Sequence, residues 1–128
     1  MVGWTLLSGC AAETECVREV AVGELSVCVD VALSADERRR GLRGREPLEH
    51  GEGLLLRFPV EGEVCLVNDG VTAPVDAVFF DDRGVVTALM TLPENDATAR
   101  CAMPARDVLE LKGGAADGLV VGMVGILP

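Results

Sequence analysis

Alternating apolar and polar residues divide this chain into short predicted strands. The clearest alternation spans residues 25–33, where odd positions hold Leu or Val and even positions hold small or polar residues. Successive side chains of a strand point to opposite faces, so this pattern predicts a strand with one buried face. A second apolar run at residues 17–22 precedes it. Gly23 between the two runs predicts a hairpin turn.

The strand pair that organises the chain is predicted further on, at residues 75–80 and 85–92. Both runs are apolar and rich in β-branched or aromatic residues, and Asp81-Asp82-Arg83-Gly84 separates them. Asp accepts local hydrogen bonds in turns, and Gly takes positive φ without a Cβ clash. This pattern predicts a second hairpin. Asp76 is an unusual acidic residue at the start of an otherwise buried strand.

One short helix is predicted near Ala35–Arg40. Ser34 and Glu37 have the spacing of a capping box, and Gly41 is a natural C-terminal stop. Five arginines lie in or just after this segment: Arg38, Arg39, Arg40, Arg43 and Arg45. They fit either an anion site or a solvated helix end neutralised by nearby acidic residues, and we favour the second interpretation.

The remaining apolar runs complete the prediction of fold class. They cover residues 54–58, closed by Pro59, and residues 63–67, 106–111 and 119–127, with a polar loop at 93–97. The last run, about nine residues long, is too short to cross a bilayer as a helix. Many strands with one early helix predict an α+β domain, mainly antiparallel β, of barrel-like or sandwich type.

Composition and charge restrict the classes of partner. The chain has 128 residues, of which 49% are hydrophobic but only 3% aromatic, so Val, Leu and Ala must build the core. Its 11 basic and 21 acidic residues give a formal net charge of −10. Nucleic acids and anionic membrane surfaces require a positive surface. We therefore expect neither as a partner.

The N-terminus resembles the processing site of bacterial-type lipoproteins. Leu7-Ser8-Gly9-Cys10 fits a lipobox, and a polar stretch follows it as a tether would. The apolar stretch before it is short and carries no Lys or Arg, unlike an ordinary signal peptide. We expect a leader or tether at 1–16, a lipid anchor at Cys10, a single domain at 17–128, and export or attachment to the envelope. The alternative is a frayed N-terminus on a cytoplasmic protein.

The other four cysteines can form disulfides or remain free. They are Cys16, Cys28, Cys65 and Cys101, and no C-x-x-C spacing occurs. A closed zinc site is therefore not expected. The first predicted hairpin places Cys16 almost opposite Cys28, where either a disulfide or two buried thiols can form. We favour the thiols.

The order of these elements resembles the family called domain of unknown function 192, over about residues 27–127. The resemblance rests on residues 29–34, 37–38, 41–42, 53–58, Gly70, 74–81, 84–86, 108–111 and 113–114. It implies a compact, mainly β domain with a small helix, in a family whose members are often exported and which has no established activity. Residues 65–69 and Gly122-Met123 depart from the family pattern.

Candidate chemistry centres on Asp76. A carboxylate at a strand entrance can bind a ligand, or it can accept backbone N–H bonds and hold a loop. Asn68 and Glu110, which lie in segments matching the family, and Arg57 are its candidate companions in a ligand-binding pocket. His50 is the only histidine and has no evident nucleophilic partner. No catalytic residues, metal or cofactor are predicted, since phosphate-loop, dinucleotide and EF-hand motifs are absent from the sequence.

Two functional hypotheses follow. The first is a small non-enzymatic envelope or extracellular module that binds a small molecule or a protein. The second is a small hydrolase-like enzyme that uses Asp76, with Arg57 or another arginine, in a polar pocket.

Overall fold

The computed structural model describes residues 15–128. Strands make up most of it, with one short helix, as the sequence predicts. In chain order the elements are β1 (Glu19–Val22), β2 (Leu25–Ala32), α1 (Ala35–Arg40), β3 (Glu52–Asn68), β4 (Val75–Phe80), β5 (Val86–Leu92), β6 (Asp96–Lys112) and β7 (Gly125–Ile126).

The local signals of the first third are confirmed. β1 and β2 form an antiparallel hairpin, and Gly23 in its turn has φ of 57°. Ser34 caps α1: its hydroxyl accepts from the Glu37 amide at 3.0 Å, and the Glu37 carboxylate accepts from the Ser34 amide at 2.9 Å. These contacts complete the capping box and begin the helix where the sequence predicts it.

The strands form one sheet in the order β5-β4-β6-β3-β2-β1-β7. The pair β2–β3 is parallel and contains α1 in its connection, while the other strand pairs are antiparallel. β4 lies between β5 and β6, and all six of its residues are buried. The predicted hairpin at residues 81–84 is confirmed. Asp81 Oδ1 accepts from the amides of Arg83 at 2.8 Å and Val85 at 3.0 Å.

β3 and β6 are much longer than their apolar patterns predict. Pro59 does not end the strand: β3 continues to Asn68, and its register with β6 shifts between Arg57 and Gly62. Proline lacks an amide hydrogen, and a strand irregularity tolerates that loss. β6 likewise begins at Asp96, well before the predicted residue 106. Pairing with β3 extends it through a segment with little apolar periodicity.

The C-terminal segment joins the two edges of the sheet. Residues of β7 pair with Val22 and Ala21 of β1, and the preceding Val124 bridges to Val85, just before β5. An isolated bridge therefore links the two edges of this open sheet. The predicted strand at 119–127 is wrong in extent, because only Gly125–Ile126 is strand, with an isolated bridge at Val124 and a turn at residues 121–122.

Both faces of the sheet are apolar. The cluster on one face, which we call the inner cluster, contains the alternating valines of β1 and β2 together with Val78, Phe80 and Leu109. The cluster on the other face, which we call the outer cluster, contains Leu42, Leu54, Val75, Ala77 and Phe79 among others. Burial on two faces explains why β4, apart from Asp76, is apolar throughout rather than alternating.

The preference for buried free thiols at Cys16 and Cys28 is wrong. Cys16 bonds Cys28, and Cys65 bonds Cys101. All four residues are exposed rather than buried. Cys65 and Cys101 are direct register partners on β3 and β6, a pairing that sequence spacing alone does not reveal.

Cys10 and most of the predicted leader lie outside the described residues. Within residues 15–128, no helix is long and apolar enough to cross a membrane.

Candidate functional site

A cavity of about 510 Å³ lies where three connections meet at one end of the sheet. Its walls come from Leu42 and residues 44–49 after α1, residues 70–75 leading into β4, and residues 111–114 at the end of β6, with Thr91 of β5. We call it the loop cavity. Leu42, Leu48, Val71 and Val75 belong to, or pack against, the outer cluster. The loop cavity therefore lies mainly against the outer cluster, and Leu111 of the inner cluster also lines it.

Asp76 lies just behind this cavity and is 3% exposed. Its Oδ1 accepts from the Thr91 hydroxyl at 2.8 Å. Its Oδ2 accepts from the backbone amides of Gly114 and Ala116, each at 2.9 Å. Thr91 and Gly114 line the loop cavity. Asp76 thus holds the turn after β6 in place by satisfying amides that would otherwise lack a partner.

Asn68 supports another part of the same wall. It is 3% exposed, and its side-chain amide donates to the carbonyls of Ala73 at 3.1 Å and Pro93 at 2.9 Å. Ala73 lines the loop cavity, whereas Pro93 lies in the connection between β5 and β6. One amide therefore ties the wall of the cavity to the neighbouring loop.

Glu110 is the least satisfied polar side chain near the cavity. Its Oε1 has no hydrogen-bond partner among the described residues. Burial raises the pKa of Glu110 to about 7, and the nearby positive charge of Arg45 opposes this rise. A carboxyl group in such surroundings is largely protonated below neutral pH.

The position of Glu110 relates it to the loop cavity. It pairs in register with Leu54 and Ala77, both members of the outer cluster. Its Oε1 lies 3.7 Å from the place of a Cβ on Gly41, the residue before the cavity wall Leu42. Three of the four predicted site residues, Asp76, Asn68 and Glu110, therefore lie behind the walls of one cavity, although none of them lines it.

Arg57 lies apart from that group. Its Nε donates to Asp107 Oδ1 at 2.7 Å, and the Asp107 side chain is 6% exposed. Both residues line a polar cleft of about 280 Å³ that also includes Asp81 and Arg83. Asp107 pairs with Phe80 and Leu111 pairs with Asp76, so Arg57 and Asp76 lie at opposite ends of β4. The structure does not bring these two together as one polar pocket.

The arginines around α1 have local partners. Arg39 pairs with Asp36 at 2.6 Å and Arg45 pairs with Asp30 at 3.0 Å. Arg38 donates to the carbonyl oxygens of Leu33 and Arg57 and lies 5.0 Å over the Phe58 ring. The neutralisation of Arg39 by Asp36 agrees with the expected solvated helix end.

Sequence reasoning missed the residues that line the cavity. Leu42, Leu48 and Val71 lie in connections without a periodic pattern, and Lys112 is a single basic residue at the end of β6. The available signal was the apolar character of Leu48 and Val71 within loops. That signal becomes informative only when the folded sheet brings the loops together.

These observations define a class: a mainly β domain with one short helix and a loop-bounded apolar cavity. The profile of the family DUF192, described as "Uncharacterized ACR", matches residues 18–124. The chain belongs to this family, whose function is uncharacterized. A comparison with curated proteins finds no match.

Solved structures share the fold. A crystal structure of a protein of unknown function from Novosphingobium aromaticivorans has a TM-score of 0.80 and 23% identity, with 84% of this chain and 83% of that chain covered. A crystal structure described as that of a candidate transcription regulator from Sinorhizobium meliloti has a TM-score of 0.80 and 20% identity, with 91% and 98% covered. At these identities the likeness concerns the fold alone.

Proposed function

We propose that this domain is a non-enzymatic binding module for a small molecule and that the loop cavity is its binding site. The observation that carries the proposal is the cavity itself. Its volume of about 510 Å³ lies within the roughly 300–1,000 Å³ typical of ligand sites. Its walls combine apolar side chains with a few polar groups, which is the usual composition of such sites.

The hydrogen bonds that Asp76 and Asn68 make to the cavity walls favour a site that is already formed without a ligand. Asp76 and Asn68 are almost fully buried and bond directly to Gly114 and Ala73 of the lining. Such contacts fix the backbone of two loops before any ligand arrives. Preorganised walls lower the entropic cost of binding.

The contacts of Asp76 favour binding over hydrolysis. Both carboxylate oxygens accept structural hydrogen bonds, and Arg57, its proposed catalytic companion, is paired with Asp107 at the other end of β4. A general acid or base must come within hydrogen-bond reach of the reacting group. Asp76 would have to give up its turn contacts to do so.

The disulfides of this domain are consistent with a location in an oxidising compartment. Two exposed disulfides connect the described cysteines, and disulfides persist mainly in exported proteins. Together with the lipobox at Cys10, they support export with a lipid anchor. Mass spectrometry of the mature protein from a bacterial host tests this: a lipidated Cys10 at the N-terminus is expected, and an unmodified Met1 contradicts it.

Binding is tested with N-phenyl-1-naphthylamine, an uncharged apolar dye whose fluorescence rises in apolar surroundings. We expect saturable enhancement with the wild-type protein. Thr72→Trp places an indole in the cavity wall, because Thr72 lines the cavity and is exposed. This variant should lose the signal.

Val60→Trp is the matched control for that variant. Val60 is 73% exposed on β3 and lies outside the lining. It should bind the dye as the wild type does. No enhancement in the wild type, or equal enhancement in both tryptophan variants, contradicts the loop cavity as the site.

A further inference from the structure

We propose that the loop cavity selects small amphipathic acids, with the apolar body against the cavity walls and the anionic head beside Lys112. This inference rests on the proposed function and specifies its ligand class. Its basis is the distribution of positive charge around the opening.

The chain as a whole is strongly acidic, but cations gather at this cavity. Arg45 and Lys112 line it directly. Two methylene carbons of Arg43 lie 3.3–3.4 Å from the point that a Cβ atom would occupy if Gly70 had a side chain. The Arg40 guanidinium lies 3.4 Å from the corresponding point on Gly44. Both glycines are lining residues. Four of the 11 basic residues therefore surround one opening in a chain of net charge −10.

The acidic residues that line the opening lie on one side, whereas Asp76 and Glu110 are buried behind its walls. Glu46 and Glu49 come from the loop after α1, which also contributes Arg45, and Arg45 is already paired with Asp30. The opposite side, formed by the end of β6, contributes Lys112. The head group is therefore placed beside Lys112 rather than beside Arg45.

Lys112 is available for a ligand. It is exposed and forms no ion pair with another residue of the described chain. Its register partner Val75 lines the same cavity. A lysine in the lining of an apolar cavity is suited to a molecule with an anionic end and an apolar body.

Arg40 and Arg43 add positive potential at the opening, because neither forms an ion pair with a carboxylate of the described residues. The Arg40 Nε donates to the Arg43 carbonyl at 3.2 Å, and an Arg43 nitrogen donates to the Arg39 carbonyl at 2.5 Å. Backbone carbonyls leave the formal charges uncompensated. Uncompensated cations at a cleft raise the local concentration of anions.

The test compares two dyes that share one aromatic skeleton. 8-Anilinonaphthalene-1-sulfonate carries a sulfonate that N-phenyl-1-naphthylamine lacks. We expect the wild type to bind the sulfonate more tightly than the neutral dye. Lys112→Gln should weaken sulfonate binding about fivefold, the scale of a solvent-accessible ion pair, and leave the neutral dye unchanged.

Two further variants control this test. Lys112→Arg keeps the charge and should retain most of the sulfonate affinity. Arg83→Gln removes the same charge from the polar cleft, where Arg83 is 80% exposed, and should change neither dye. Added salt should weaken the sulfonate only.

The outcomes separate the two proposals. One outcome is that the neutral dye binds in the loop cavity as tightly as the sulfonate dye and that Lys112→Gln changes the affinity of neither. This outcome overturns the selectivity for acids but leaves the proposed binding module standing. If Thr72→Trp leaves both dyes bound, or if neither dye binds the wild type, the proposed function and this inference both fail.

Discussion

The Asp76 carboxylate and the Gly114 amide, 38 positions apart in the chain, are joined by a hydrogen bond of 2.9 Å. Asp76 is the second residue of the buried strand β4, and Gly114 lies in the turn that follows β6. The same carboxylate oxygen also accepts from Ala116. One buried acid therefore fixes the segment that leads to the edge strand β7, and it forms part of the support of the loop cavity.

Asp76→Asn should destabilise the fold by about 1–3 kcal/mol. The substitution replaces one acceptor oxygen with a donor, so either Thr91 or the amides of Gly114 and Ala116 lose a buried partner. Urea denaturation measures the loss of free energy of unfolding. Asp82→Asn is the control, since Asp82 is exposed in the β4–β5 turn and should change stability little. Equal stability of the two variants would contradict the structural role of Asp76.

Glu110 should make stability depend on pH near neutrality. Its pKa rises from 4.5 to about 7 on folding, so the folded state holds the proton more tightly than the unfolded chain. The resulting stabilisation is fully present below pH 4.5 and is lost as pH rises through about 7. Complete ionisation removes about 3 kcal/mol.

Glu110→Gln tests that dependence because the amide cannot ionise. Above pH 7 the variant should be more stable than the wild type. Between pH 5 and 8 its free energy of unfolding should change less than that of the wild type, and the difference should match the titration of one carboxyl group. Urea titrations at several pH values measure this. Glu24→Gln, at an exposed turn position, should keep the wild-type profile. An unchanged profile in Glu110→Gln would refute the raised pKa.

The ion pair between Arg57 and Asp107 should show coupling. Arg57→Met leaves the nearly buried Asp107 carboxylate without its cation, and we expect a loss of about 2 kcal/mol. The figure is below that for a fully buried pair because Arg57 is 27% exposed. Adding Asp107→Asn should restore part of the loss in a double-mutant cycle. Strict additivity of the two substitutions would show that the contact contributes nothing to stability.

The two disulfides should stabilise the fold to different extents. Cys65–Cys101 spans 36 positions and Cys16–Cys28 spans 12. In the chain-entropy description, losing the first costs about 4 kcal/mol and losing the second about 3 kcal/mol. Double Ser variants of each pair, compared by thermal and urea unfolding, measure the difference. A smaller cost for Cys65–Cys101 would contradict the dependence on loop length.

The sequence by itself determined the features that depend on neighbours a few positions apart. The Ser34–Glu37 capping box, the turn around Asp81 to Gly84 and the alternation of β2 all appear where their residue patterns predict them. The order of such local signals also carried the family resemblance. The capping box and the turn are stabilised by hydrogen bonds within their own segments, and the alternation of β2 matches the two-residue period of any strand with one buried face.

Only the tertiary structure decided the features that join distant segments. Pairing between strands carried β3 through Pro59 and brought Cys65 to Cys101. It also placed Asp76 beside Gly114 but left Arg57 at the other end of β4. The loop cavity exists because three connections without periodic patterns meet at one end of the sheet. Its shape depends on strand order and register, which no short stretch of this chain encodes.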